Sequence, residues 1–232
     1  DLKDMDESSM LINVSSVGAP SAKDAYVEPI YYVRALELIS KVGNVKIHGI
    51  TTNEAGGLAT VNGWLQASML GVPVVDAPSN GRAHPTGIMG SMGLHKVQDY
   101  LSIQAAIGGS KEKSSFLELV TQGSIENTSA VVRNAAVQAR GLVAVARNPV
   151  TVRYAKEHAA LGAVKQAIGL GEEVLKCIDK GLNSVIDSVC NYLEGEVVTS
   201  GYVKEIDLES RGGFDVGRIL LDDGFEVTFW NE

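Results

Sequence analysis

The sequence predicts an α/β protein built on a mostly parallel sheet and followed by a smaller β-rich unit. Three observations predict it. Apolar runs at 10–14, 45–50 and 72–77 alternate with helical patterns at 27–42 and 58–70. That order lays parallel strands side by side with helices on the sheet faces. A strongly helical stretch follows at 151–181. From Tyr192 the pattern turns to β, with "DDG" at 222–224 as a hairpin signal between "FDVGRILL" and "FEVTFW". The expected division is 1–191 for the α/β domain with its helical extension, and 192–232 for the start of the β-rich domain.

The elements can be justified in order. "MLINV" reads as a buried strand, and "SSVGAP" at 15–20 as the loop after it. In the first helix Pro29 fits the first turn, Ile30, Val33, Leu36 and Ile39 form an apolar stripe, and Gly43-Asn44 stops it. "VKIHGI" is the second strand, "TTNEAGG" a loop, "LATVNGWLQASML" a helix ending at Gly71, and "VPVVDA" the third strand. "DYLSIQAAIGG" reads as a strand and "SSFLELVTQ" as a short helix. "NTSAVVRNAAVQAR" is a helix capped by Asn127 or Thr128, whose side chains can accept from free amides. "GLVAVARN" is a further strand, and the long helical stretch is expected to break near Gly169-Leu170-Gly171.

Composition sets bounds on function. The 232 residues are 45% hydrophobic and 21% charged, a globular profile, and the net charge of −8 disfavours phosphate backbones as partners. No run of ~18 apolar residues suggests a membrane span. Cys177 and Cys190 lack a C-x-x-C spacing and read as reduced thiols of a cytoplasmic protein. The chain begins at Asp1 without Met and stops at "TFWNE", so both ends read as cuts in a longer polypeptide. The apolar helices at 130–146 and 150–180 suit a homo-oligomer interface.

The chemistry concentrates in the strand-to-helix loops. In a parallel sheet these emerge together at the carboxyl edge, where ligands of open α/β sheets bind. Loops 15–20, 51–57 and 76–87 should therefore form one pocket wall. Glu54 can stabilise a helix start or act as a base. Asp76 can cap a turn or act as a second base. Arg82, beside Gly81, can pair with an acid or hold a substrate carboxylate or amide oxygen. His84 can be a structural hydrogen-bonding group or a general base. Asn53, Asn80 and Gly81 can line a bound ligand, and the backbone amides of Gly56 and Gly57 can donate to one. Glu54, Asp76 and His84 form a weak candidate set for a divalent metal. "TGIMGSMGL" is not a dinucleotide fingerprint, and its glycines fit a flexible lid or a close backbone approach. His48, His95 and His158 read as structural.

"TNEAGGLATVNGWLQASMLGVPVVDAPSNGRAHPTGIMGSMGL", "GLVAVARNPV", "HAALGAVKQAIGLGE" and "GGFDVGRILL…FEVTFWNE" resemble the S-methyl-thiohydantoin desulfurase-like family over nearly the whole chain. The most specific parts are E-x-GG…G-x-P-V-V-D-x-x-x-x-GRA-x-P and the late GGF-x-x-G. His84 stands where the family often carries a bulky apolar residue. The resemblance implies a three-layer α/β/α domain followed by a barrel-like domain. It implies hydrolytic attack on a small cyclic amide of hydantoin or S-methyl-thiohydantoin type. It leaves open a non-catalytic binding or accessory subunit of a hydantoinase/oxoprolinase-type system.

Overall fold

The computed structural model describes residues 2–18, 24–84, 86–211 and 214–231. Two compact units divide it, Asp1–Ala163 and Val164–Glu232. The first holds a five-stranded sheet of β1 (Met10–Gly18), β2 (Gly49–Thr52), β3 (Ser102–Gly108), β4 (Leu117–Gly123) and β5 (Leu142–Thr151), in the order β2-β1-β5-β3-β4.

The sheet is mixed, which corrects the expectation of a mostly parallel one. β1 and β2 are parallel, but β5 runs antiparallel to both β1 and β3, and β4 antiparallel to β3. The third expected strand, 72–77, reduces to a single parallel bridge of Val74 with Ile50. The Ile50 amide donates to Pro73 and the Val75 amide to Ile50. The strand–helix–strand–helix order of the first third is as expected. The departure is β5, a nearly all-buried strand inserted between β1 and β3 against their direction. Its apolar run is equally compatible with either direction, because a central strand buried on both faces carries no alternation.

Alternate residues of the central strands face different helices. Ala105, Ile107, Ala144 and Ala146 pack with Leu36 and Ile39 of α1 (Pro29–Gly43). Ala106, Val143 and Val145 pack with Val132 and Ala136 of α3 (Ile125–Gln138). The side-chain period of two in a strand places α1 and α3 on opposite faces. Helix α1 ends where expected, with Asn44 at φ 51. The second helical pattern splits into a 3-10 turn at Ala59–Val61 and α2 (Trp64–Leu70). The split falls at Gly63, whose φ is 109 and whose added Cβ would lie 3.1 Å from Ile50.

Three further expectations are corrected. "SSFLELVTQ" is not a helix: Leu117–Gly123 form β4, hydrogen-bonded along β3 as the sheet's edge. A seven-residue segment gains more from a full ladder with a buried neighbour than from two isolated helical turns. Helix α3 is capped one turn earlier than expected, by Ser124, whose hydroxyl accepts from the Asn127 amide at 3.2 Å. The long helical stretch divides into α4 (Val152–His158), α5 (Ala163–Cys177) and α6 (Leu182–Leu193), with no break at 169–171. Gly169 lies inside α5, and α6 approaches it so closely that an added Cβ would lie 2.2 Å from the Tyr192 hydroxyl. That hydroxyl donates to the Gln166 carbonyl at 3.1 Å.

The second unit contains most of α5, all of α6, and a three-stranded antiparallel sheet of β6 (Val203–Arg211), β7 (Phe214–Leu221) and β8 (Glu226–Asn231). The 222–224 hairpin joins β7 to β8 as expected. The described strands form an open sheet, not a closed barrel. Cys177 and Cys190 are both free thiols. Among the described residues no helix is long and apolar enough to cross a membrane.

The cap at Ser124 gives a stability prediction. Ser124→Ala should cost about 1 kcal/mol, whereas Asn127→Ala, which removes an exposed side chain one turn later, should cost under ~0.5 kcal/mol. Urea denaturation of the two variants checks this, and the reverse order would return the cap to Asn127.

Candidate active site

Two of the three predicted loops meet at the carboxyl edge of β2. The Ser79 amide donates to the Thr52 carbonyl at 3.2 Å and the Asn80 amide to the Asn53 carbonyl at 3.1 Å, with Glu54 and Asn80 bridged in parallel. Loop 76–87 thus continues the sheet beyond its last regular strand. The turn after α4 fastens it from outside: the Ala160 amide donates to the Pro78 carbonyl and the Gly162 amide to that of Asp76. Of the third loop, residues 15–18 extend β1, and 19–20 lie outside the described residues.

The loops bring Asn53, Glu54 and His84 together. Glu54 Oε2 accepts from the His84 amide at 3.3 Å and lies 3.5 Å from His84 Nε2. Asn53 is 1% exposed and His84 6%. The neighbours set the Asn53 amide. Its Oδ1 accepts from His84 Nε2 at 2.6 Å and from the Arg147 guanidinium at 2.9 Å. Its Nδ2 donates to the Gly90 carbonyl at 3.1 Å and to Asn13 Oδ1 at 2.8 Å. This orientation pairs every donor with an acceptor and assigns the His84 proton to Nε2. Asn13 in turn donates to Ser79 Oγ and to the Thr52 carbonyl.

The centre of this network is Arg147, a residue the sequence reading missed. It is 6% exposed, in the middle of the sheet, and faces Asn13 on one side and Gln104 on the other. "RNPV" carried a signal. Pro149 cannot donate to a ladder, and Asn148 adopts φ 50, so β5 bulges against β1 between the Leu11 and Asn13 positions. Such bulges re-aim side chains beside functional sites. Asn148 Oδ1 is held by Ser102 Oγ at 2.7 Å.

The electrostatics follow from burial. Desolvation and then the nearby Arg147 charge push His84 down to about 4, with Arg82 adding to the effect. The Thr86 backbone opposes the shift. His84 is therefore a neutral imidazole near pH ~7, and its contact with Glu54 is not an ion pair. Glu54 sits above the usual carboxylate range because burial outweighs the His84 amide and the Arg147 charge. Its side chain keeps 26% exposure, so it alone of this group reaches the rim.

The other expected residues lie around this core. Arg82 and Gly81 are exposed, and the Arg82 amide donates to Asn80 Oδ1 at 3.4 Å. Asn80 Nδ2 donates to the Met89 carbonyl. The Gly56 carbonyl caps the 59–61 turn through Thr60, and Gly57 is exposed. Asp76 is half-buried, with its carbonyl used by Gly162. Among the described residues no three His, Cys, Asp or Glu side chains converge as metal ligands. His48 Nδ1 accepts from the Met10 amide, His95 Nδ1 meets Ser91 Oγ, and His158 stacks on Tyr154 at 4.2 Å. The glycine run makes a close approach at Gly90, where an added Cβ would stand 2.3 Å from the His84 ring.

Two measurements check this arrangement. Gly90→Ala must displace His84, which should cost ~1–3 kcal/mol as overpacking and shift the His84 ring resonances. The stabilising contribution of a histidine held neutral is complete above its unfolded pKa of about 6.5 and is lost as the pH falls toward the folded value. The Tm advantage of the parent over His84→Gln should therefore be greater at pH ~7 than at pH ~4.5. An advantage that grows on acidification would mean His84 is charged in the fold.

No curated protein matches the chain. A crystal structure of a protein from Chromobacterium violaceum matches with a TM-score of 0.64 at 17% identity, over 99% of this chain and 64% of that one. The likeness shows a shared fold, and this chain spans 64% of the length of that relative. Residues 1–118 match the N-terminal domain of the S-Me-THD-like family, and residues 124–232 match its C-terminal domain. With both family domains matched in order around the Asn53–Glu54–His84–Arg147 cluster, the chain belongs to the S-methyl-thiohydantoin desulfurase-like family.

Proposed function

We propose that the protein is a hydrolase of small five-membered cyclic amides, with an S-methyl-thiohydantoin as the preferred class. One observation carries the reading: a rim carboxylate raised by burial, Glu54, lies against a neutral imidazole and near a buried guanidinium. A base raised toward working pH and a fixed positive charge are what water attack on a polarised ring carbon requires.

In this reading Glu54 takes a proton from water as the oxygen bonds to the ring carbon bearing sulfur. The C=N electron pair moves to the ring nitrogen, which takes up a proton. The hydroxyl oxygen then loses its proton and re-forms C=O as the C–S bond breaks. The departing thiolate is protonated, leaving the hydantoin and methanethiol. Arg147 stabilises negative charge developing on oxygen, while Asn53 and His84 hold the geometry. Asp76 is a second candidate base. Arg82 at the exposed lip, with Asn80, Gly81 and the amides of Gly56 and Gly57, would orient the ring. The same water attack on a ring carbonyl would open a C–N bond. The two free thiols suit the cytoplasm, and the exposed Val131 and Val137 of α3 suit a homo-oligomer.

A second reading is a binding or accessory subunit of a hydantoinase-type system. It is favoured by the depth of Asn13, Asn53 and Arg147, which recognition alone would explain. Thiol release from S-methyl-thiohydantoin by the purified protein separates the two. Glu54→Gln should lower kcat by at least ~100-fold with binding retained. Binding without thiol release by the parent would select the second reading. Arg82→Ala should leave Tm nearly unchanged and weaken binding or turnover about tenfold, ~1.4 kcal/mol. Unchanged binding would remove Arg82 from the site.

A further inference from the structure

The five-stranded sheet has two edges, and they are finished differently. β2 is four residues long, and its outer side is covered by the parallel bridge of Ile50 with Val74. β4 is seven residues long and pairs with β3 through consecutive positions without a bulge. Among the described residues no strand pairs with its outer side. Leu117–Gly123 contains no Lys and no Pro, the residues with which edge strands usually discourage pairing. Every second residue of β4 therefore presents its N–H and C=O groups to the outside.

A groove lies on each side of this edge. On the α3 side Leu117 and Leu119 join Ala130, Val131 and Asn134 around about 520 Å³. On the α1 side Phe116 and Glu118 join Ile30, Tyr31 and Arg34 around about 240 Å³. A strand added to β4 would send alternate side chains into the two grooves. β4 carries one charged side chain, Glu118, and Arg34 holds its carboxylate at 3.2 Å. A chain of net charge −8 repels a copy of itself over most of its surface. This edge offers a contact in which its one carboxylate already has a cation.

The residues of β4 are complementary to themselves. When a strand pairs with its own copy antiparallel about a two-fold axis, one residue faces its counterpart and the others pair outward from it. Centred on Val120, the whole of β4 finds partners. Val120 meets Val120 of the second copy, Leu119 meets Thr121, Glu118 meets Gln122 and Leu117 meets Gly123. The two members of each couple share a face, as the period of two demands. Leu117 and Leu119 lie on the α3 face and Val120 on the α1 face. Glu118 then faces a side-chain amide that can donate to it. Centring on Glu118 would set two carboxylates against each other, and centring on Leu119 would set Glu118 against Val120. We propose that two copies of the chain pair through β4 about a two-fold axis at Val120, making one continuous sheet with both α3 helices on the same face. The proposal gives the homo-oligomer a surface and a register, and it does not depend on the chemistry at Glu54.

Sedimentation velocity over a dilution series tests it. The parent should be a dimer that dissociates on dilution. Gln122→Glu places like charges opposite each other twice in the dimer and should raise the dissociation constant about tenfold. Adding Glu118→Gln to Gln122→Glu exchanges the two residues and should bring the constant back to the parent's value. Both side chains are exposed, so far-UV circular dichroism should be the same for all three proteins. A parent that stays monomeric at about 0.1 mM overturns the interface and leaves the edge to a strand of another protein. A dimer indifferent to Gln122→Glu, or not restored by the exchange, is held by another surface or register and overturns it as well. Thiol release separates this idea from the hydrolase reading. Turnover by a monomeric parent leaves the hydrolase standing and the interface fallen. A dimer with the expected charge dependence but no turnover does the opposite.

Discussion

A guanidinium in the middle of a β-sheet has to be surrounded by acceptors, and that requirement organises this molecule. Arg147 stands on the central strand between β1 and β3. Leaving such a charge unmatched costs several kcal/mol, on the order of 3–5. Asn53 meets it, and Asn53 is itself held by Asn13, Gly90 and His84. The loop after β2 and loop 76–87 are consequently fixed to the sheet by side chains as well as by their backbone bridge. A constellation that satisfies a buried charge is held in one geometry by its own hydrogen bonds.

The same arrangement divides labour by depth. His84, Asn53 and Arg147 are enclosed, and the protonation state of His84 is set by burial and neighbouring charge rather than by solvent. Glu54 lies at the boundary, buried enough to be raised and exposed enough to meet water. Arg82 is outside. Moving outward, the groups pass from enclosed to solvent-facing. The glycines at 87 and 90 allow the roof of the enclosure to be backbone, because a Cβ at either would collide with Ser129 or His84. The contribution of "TGIMGSMGL" is therefore one of absence: small residues where side chains cannot fit.

Much of this could be read from the amino acids. The β1–α1–β2–α2 order, the stop at Asn44, the hairpin at 222–224 and the meeting of loops 51–57 and 76–87 all follow from periodicity, breakers and crossover handedness. These are local or nearly local signals, each carried by residues within one or two elements. The family was legible for the same reason, since its motif lies in those two loops.

What the tertiary structure alone decided is pairing across distance. Leu117–Gly123 has the composition of a short helix and becomes a strand because β3 offers it a ladder. β5 is apolar throughout, so nothing in its residues gives its direction, and only its place between β1 and β3 does. Arg147 looks like the polar end of a strand until the bulge at Asn148-Pro149 sets it beside Asn53, nearly a hundred positions away in sequence. The sequence by itself determined the elements and the edge at which chemistry gathers. The depth of each group, and with it which one is neutral, raised or solvent-facing, was decided by packing, because burial and field are properties of neighbours that no local stretch contains.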